Sequence, residues 1–246
     1  MTTASNFAGL IRVTAPTYEP ISLGDALLHL RIDASDEDAV TYVTGLLSLA
    51  RQYCEDFLRR SLMTQTWRLS LKNWPGRDYE NWPRFGAFDI DYYYKYNFIR
   101  LPMPPLQSVT SVSYRKSDGT TSTMAFANFA VLTGYSYNVE KDFEPGRIVL
   151  PYSGVWPPDV LMPGAPIQIT YVAGYIPLAN DTSPAVGPTF EAWEGYRAVL
   201  HAMKLLIAYW YEVRLVGSTG TTEFNYNQPT GEEVTALALL RPHRIF

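Results

Sequence analysis

The sequence predicts an α+β protein: an antiparallel helical bundle built from both ends of the chain, an antiparallel β domain inserted between them, and an extended C-terminal tail. Two observations carry that prediction. Apolar residues recur in steps of four and three at Ala39, Val43, Leu46, Ala50, Tyr53 and Phe57, and again at Trp193, Tyr196, Leu200, Met203, Ile207 and Trp210. Such a seam lies on one face of a helix and needs a partner helix to cover it. The long stretch between the two seams has period two and frequent Pro and Gly, which is the pattern of short strands and turns. The predicted parts are an N-terminal arm at 1–20, a helical domain from 21–63 with 184–216, a β insertion at 64–183, and a tail at 217–246 with a short docking helix.

Residues 1–20 contain Thr14, Pro16 and Pro20 without a sustained period and read as extended. The first helix opens at Ser22, where Ser22 and Asp25 form a capping box ahead of Ala26, Leu27, Leu28 and Leu30. The acidic run 33–38 caps a second helix over 36–60, since carboxylates favour the positive end of the helix dipole. It lacks the central glycine and closing glutamate of a calcium loop. Arg59 and Arg60 suit the negative end of that helix.

From Met63 the period becomes two, with Trp67, Leu69 and Leu71 alternating with Thr66, Arg68 and Ser70 in a half-buried strand. Residues 72–98 are irregular and aromatic, holding Trp74, Trp82, Phe85, Phe88 and three tyrosines at 92–94. A strand at 98–101 stops at Pro102, Pro104 and Pro105. The next, marked by Val109, Val112 and Tyr114, turns at Asp118-Gly119 and returns over 121–126. Further strands are predicted at 147–150 and 167–172, giving a small sandwich or barrel.

Pro184 and Pro188 punctuate the return to a helix over 189–215, which stops near Gly217. The polar stretch 217–231 reads as a tether. Thr230 and Glu233 form a capping box opening a short helix with Val234, Leu237 and Leu240 along one edge. So short a helix is marginal alone in water and docks elsewhere, on its own bundle or on a partner; the partner is favoured.

Composition narrows the function. The 246 residues are 47% hydrophobic, enough for a real core, and no run approaches the roughly 20 apolar residues of a membrane span. The N-terminus has no signal-peptide pattern. Cys54 stands alone and reads as a packed thiol, which suits a reducing cytoplasm. A net charge of −4, with no basic run beyond a pair, argues against a duplex-binding surface while allowing DNA to pass without sticking. The 18 Tyr, 6 Trp and 11 Phe either fill the core or form an interface. His29, His201 and His243 have no metal-ligand spacing, and HExxH, CxxC and GxSxG are absent. Asp89 and Asp91, on one side of a strand, have the spacing to bind a cation or serve as paired carboxylates, and an exposed edge is the simpler reading. The sequence therefore predicts no catalytic residue, cofactor or metal.

Several segments taken together carry a resemblance. ISLGDALLHLR, the acidic residues 33–38, a long helix ending at 53–60, and LMTQTW at 62–67 are similar to the opening of the head–tail connector proteins of tailed phages, also called adaptor or head-completion proteins. LPMPPLQSV at 101–109, YVAGY at 171–175, YWYE at 209–212 and LLRPHR at 239–244 extend it over most of the chain. Arg60-Ser61 replaces the family's usual Gly-Arg, and His243 stands where Tyr is common. The resemblance implies a virion protein at the head–tail interface, assembled in the host bacterial cytoplasm as a ring of identical subunits, a dodecamer, beneath the portal. Such a ring extends the DNA channel, is passed by DNA without sequence-specific binding, and offers a platform to a tail or tail-completion protein. The resemblance also implies portal docking through the C-terminal segment, for which Val234, Leu237, Leu240, Arg241, Arg244 and Phe246 are the candidates. The alternative is a surface- or glycan-binding β module of a phage particle, suggested by Trp74, Trp82 and the tyrosines at 92–94.

Overall fold

The computed structural model describes residues 7–75, 98–133, 145–151, 154–176, 193, 195–216 and 231–245. Trp82, Phe85, Phe88, Asp89, Asp91, the tyrosines at 92–94, Pro184, Pro188, the tether at 217–230 with Thr230, and Phe246 lie outside the described residues.

Local capping sets the first two helices. In α1 (Leu23–Leu30), Ser22 Oγ accepts the Asp25 N–H at 3.1 Å. In α2 (Glu37–Leu58), Asp36 accepts the Ala39 N–H at 3.0 Å, and the helix ends where Arg59 turns left-handed at φ 55°. α2 buries Ala39, Val43, Leu46, Leu47, Ala50, Cys54 and Leu58. The helix α3 (Tyr196–Val216) buries Val199, Ala202, Met203, Leu206 and Ile207.

That α3 stripe, at i, i+3, i+4, i+7 and i+8, is wider than a heptad seam and displaced from the predicted one. Met203 and Ile207 are buried as expected, but Tyr196, Leu200 and Trp210 are only half-buried at its flank, and Trp193 precedes the helix. The reason is geometric: α3 touches α1, α2 and a fourth helix, α4 (Gly231–Leu240), so one narrow seam cannot cover all three neighbours. Tyr53 and Phe57 likewise sit at the flank of α2, and Tyr53 meets Trp210 edge-on at 5.8 Å.

Among the described residues there are eight strands in chain order: β1 (Phe7–Thr14), β2 (Gln65–Leu71), β3 (Phe98–Arg100), β4 (Leu106–Arg115), β5 (Thr121–Thr123), β6 (Ala130–Leu132), β7 (Arg147–Val149) and β8 (Ile167–Ala173). They form an antiparallel five-stranded sheet, β1-β2-β8-β4-β5, and an antiparallel three-stranded sheet, β3-β7-β6. Inward residues of both sheets, among them Leu69, Val112, Ile169, Ile99 and Ile148, share one core. A second core joins the helices.

Two expectations for the strands are corrected. Residues 7–14 are an edge strand rather than an arm: Leu10 sits opposite Leu69 and Arg12 opposite Trp67. Register shifts at both ends of β1 break the period that would have marked it. The returning strand stops at Thr123, and a 3-10 turn at Phe126–Asn128 replaces its expected end. The hairpin turn itself falls at Asp118-Gly119, with Gly119 at φ 86° and Asp118 Oδ1 accepting the Thr120 N–H at 2.8 Å.

Candidate assembly surface

The two cores meet at a junction that most of the sequence motifs build. At its centre Arg51 and Glu55 are buried one turn apart, with Arg51 Nη1 donating to Glu55 Oε2 at 2.7 Å. Arg51 Nε also reaches Glu19 at 2.8 Å. Glu55 Oε1 accepts the Leu62 N–H at 2.9 Å and Gln65 Nε2 at 2.6 Å, and Arg12 of β1 lies 3.7 Å from its other oxygen. A lone buried carboxylate would cost several kcal/mol, and these partners remove most of that penalty. Burial still raises the Glu55 pKa above its ordinary value, with Arg51 opposing.

Arg60 is fully buried rather than placed at the end of the helix dipole. Its Nη1 donates to the Tyr175 hydroxyl, and its guanidinium lies 4.8 Å from the Trp193 ring centroid. Tyr175 and Trp193 stack at 5.3 Å, and His243 meets Trp193 edge-on at 5.6 Å. Thr64 Oγ1 donates to the Tyr175 carbonyl at 3.0 Å, while Gln107 Nε2 donates to Thr64 Oγ1 at 2.8 Å and to the Gly174 carbonyl at 2.7 Å. Gly174 has φ 114°, and a Cβ there would lie 2.0 Å from the Met63 carbonyl oxygen. The ends of the four motifs at 60–67, 101–109, 171–175 and 239–244 thus meet at one place, where their work is to hold the fold together.

The C-terminal segment is where the structure departs furthest from expectation. Ala236 and Leu240 are fully buried against the chain's own helices, Leu239 packs beside them, and Val234 is 48% exposed. The predicted edge of Val234, Leu237 and Leu240 is therefore not the docking face. Ala236 and Leu240, one turn apart, face the bundle, because the small alanine lets α4 approach α3 closely. Burying Leu240 with Ala236 supplies about 3 kcal/mol, enough to seat a helix that is marginal alone. Beyond α4 the Ile245 N–H donates to the Leu58 carbonyl at 3.0 Å, and the Arg244 guanidinium lies 5.2 Å from the Phe57 ring centroid. Val234 and Arg241 face outward.

Little reactive chemistry is assembled among the described residues. Burial, then the neighbouring Glu55, pushes the Cys54 thiol up to about 12. His29 is lowered by burial first, then by the charges of Lys204 and His201. No group of three His, Cys, Asp or Glu has a metal-binding arrangement among the described residues, and none of their helices is long and apolar enough to cross a membrane. Trp74, a candidate binding platform, is 1% exposed and stacks on Trp156 at 5.1 Å in the sheet core. Two clefts are lined mainly by Pro, Met, Arg and β-strand residues such as Tyr114 and Gln168, without a histidine or carboxylate.

No protein-family model matches the chain, and no curated protein does. Solved structures do. A chain described as from the neck of an empty gene transfer agent particle, computed with sixfold symmetry, matches at TM-score 0.60 and 20% identity, over 97% of this chain and 96% of that one. A chain of the virion of the native particle matches at TM-score 0.58 and 17% identity, over 96% and 95%. A chain of the native neck, computed with twelvefold symmetry, matches at TM-score 0.54 and 19% identity, over 97% and 96%. The fold is that of chains from the neck of phage-like gene transfer agent particles, in agreement with the connector resemblance of the sequence.

Proposed function

We propose that this chain is a structural neck protein of a phage-like particle: a head–tail connector whose identical copies form a ring beneath the portal. The observation that carries the reading is likeness from end to end. Nearly the whole chain aligns with nearly the whole of each neck chain, so the likeness is more than a recurrent motif. The sixfold and twelvefold symmetry of those necks supports a ring, with a dodecamer the simplest order. In this reading 21–63 and 184–216 make the connector domain, 64–183 the inserted β domain, and the tail protein binds the ring's far face. The net charge of −4 suits a channel that DNA traverses without being held.

Portal contact, in this reading, uses the outward side of the docked segment, Val234 with Arg241 at its rim, flanked by Leu237 and Arg244; Leu240 supports that surface from beneath. The β-module alternative is weaker, since Trp74 is not available to a glycan.

The test is co-sedimentation of the full-length protein with DNA-filled, portal-bearing heads, followed by imaging of the neck. Stoichiometric binding as a ring is expected, and it should fall for the surface variant Val234→Asp/Arg241→Glu. Binding as single copies, or none, overturns the reading. Tight, salt-sensitive duplex binding by the free protein would overturn the channel assignment.

A further inference from the structure

A ring assembled head to tail needs two different surfaces on opposite sides of each copy, complementary to each other. The five-stranded sheet has that layout. Its order places β1 at one edge and β5 at the other, four strand spacings away, or about 19 Å at ~4.8 Å each.

Among the described residues the outer edge of β1 pairs with no strand. β1 carries no proline and no lysine, two of the usual guards of an open edge, and its register is regular from Gly9 to Arg12. Its outward side chains are apolar: Ile11 is 54% exposed and Val13 is 44% exposed. At the opposite edge the chain leaves β5 through the 3-10 turn into β6, which is itself an outer strand of the three-stranded sheet. There Phe126 is 54% exposed and Leu132 is 42% exposed. By contrast Leu28 and Leu49 come singly on two helices, as is ordinary for a protein surface.

We propose that the open edge of β1 in one copy meets the 126–132 segment of the next, with Ile11 and Val13 packing on Phe126 and Leu132 and β6 extending the strand ladder across the seam. The proposal rests on the ring reading and adds which surfaces close the ring. It is a heterologous contact: a chain damaged at one edge keeps the other.

The test uses full-length chains carrying Ile11→Cys or Leu132→Cys, treated with a short bismaleimide; buried Cys54 stays silent. Native mass of the unmodified chain is measured in parallel, both free and on portal-bearing heads. Crosslinked dimers are expected only when the two variants are mixed, and a chain with both cysteines should give a ladder ending at the ring order. Ile11→Lys/Val13→Lys should lose oligomers while keeping its circular dichroism and melting temperature. If the unmodified chain is oligomeric but the mixture gives no crosslink, or Ile11→Cys crosslinks to itself, the seam is overturned and the ring stands. If the unmodified chain is monomeric in both settings, the ring reading and the seam fall together.

Discussion

Replacing Leu240 by alanine asks whether the C-terminal segment belongs to the body of the protein. Leu240 is fully buried in the helical core. Truncation forfeits about 2 kcal/mol of transfer free energy for the carbons removed and leaves a void beneath α4. Such substitutions cost about 2–5 kcal/mol, and about 3 kcal/mol is expected here. The loss is capped by the free energy that docks α4: once the void costs more, the helix lifts off and the remainder stays folded. Two measurements separate these cases. Urea unfolding gives the loss of stability at unchanged m, and amide exchange reports opening of α4 alone. Val234→Ala, at a half-exposed position of the same helix, should stay within about 0.5 kcal/mol of the parent. The reasoning is refuted if Leu240→Ala also stays within that margin and α4 amides exchange in the parent protein as in a free peptide.

Four further outcomes follow from the junction, the cores and the hairpin turn. Because burial raises Glu55, the folded chain holds that proton more tightly than the unfolded chain; the group's stabilising contribution is full below the ordinary value of 4.5 and is lost as pH rises through the folded value. Urea titrations should therefore show the parent gaining on Glu55→Gln as pH falls from neutral to about 4; the parent losing ground to that variant as pH falls would mean that the Arg51 charge dominates. Cys54, buried with its thiol pushed up to about 12, should resist iodoacetamide in the folded protein and react on unfolding, by mass spectrometry. Gly119→Ala, in open space at φ 86°, should cost about 1 kcal/mol in thermal melts. Gly174→Ala meets the Met63 carbonyl at 2.0 Å and should leave the chain insoluble.

What the sequence revealed depended on how local each signal was. The Ser22 and Asp36 caps and the Asp118-Gly119 turn involve residues within three positions of one another, and all are seen in the structure. Strand β2 was legible because its alternation runs unbroken against β8. β1 was not, because its register shifts scramble the alternation and its partner lies far along the chain. The α3 stripe was misplaced because a heptad template assumes one neighbouring helix where α3 has three. In the C-terminal helix the large side chains point to Val234, Leu237 and Leu240, while the decisive residue is Ala236, whose smallness permits close approach. Nor was the burial of Arg60 legible: that needs Tyr175 and Trp193, which no local pattern brings to its side. The prolines at 102–105 mark the end of β3 in the sequence, while the close approach of Gly174 to Met63 needs the fold to be seen.

The hydrogen bond from Thr64 to Tyr175, with Gln107 holding both Thr64 and Gly174, pins the start of β2 and the end of β8 to a single point. Seen from the helices, everything between those residues is a closed loop whose ends are already in place. Lengthening a closed loop costs only on the order of (3/2)RT times the logarithm of the length ratio, about 0.6 kcal/mol per doubling. Extra sequence inserted at the exposed Asp118-Gly119 turn therefore leaves the helical register untouched. That turn is the natural place for an engineer to append an epitope or fluorophore while the helices keep their packing.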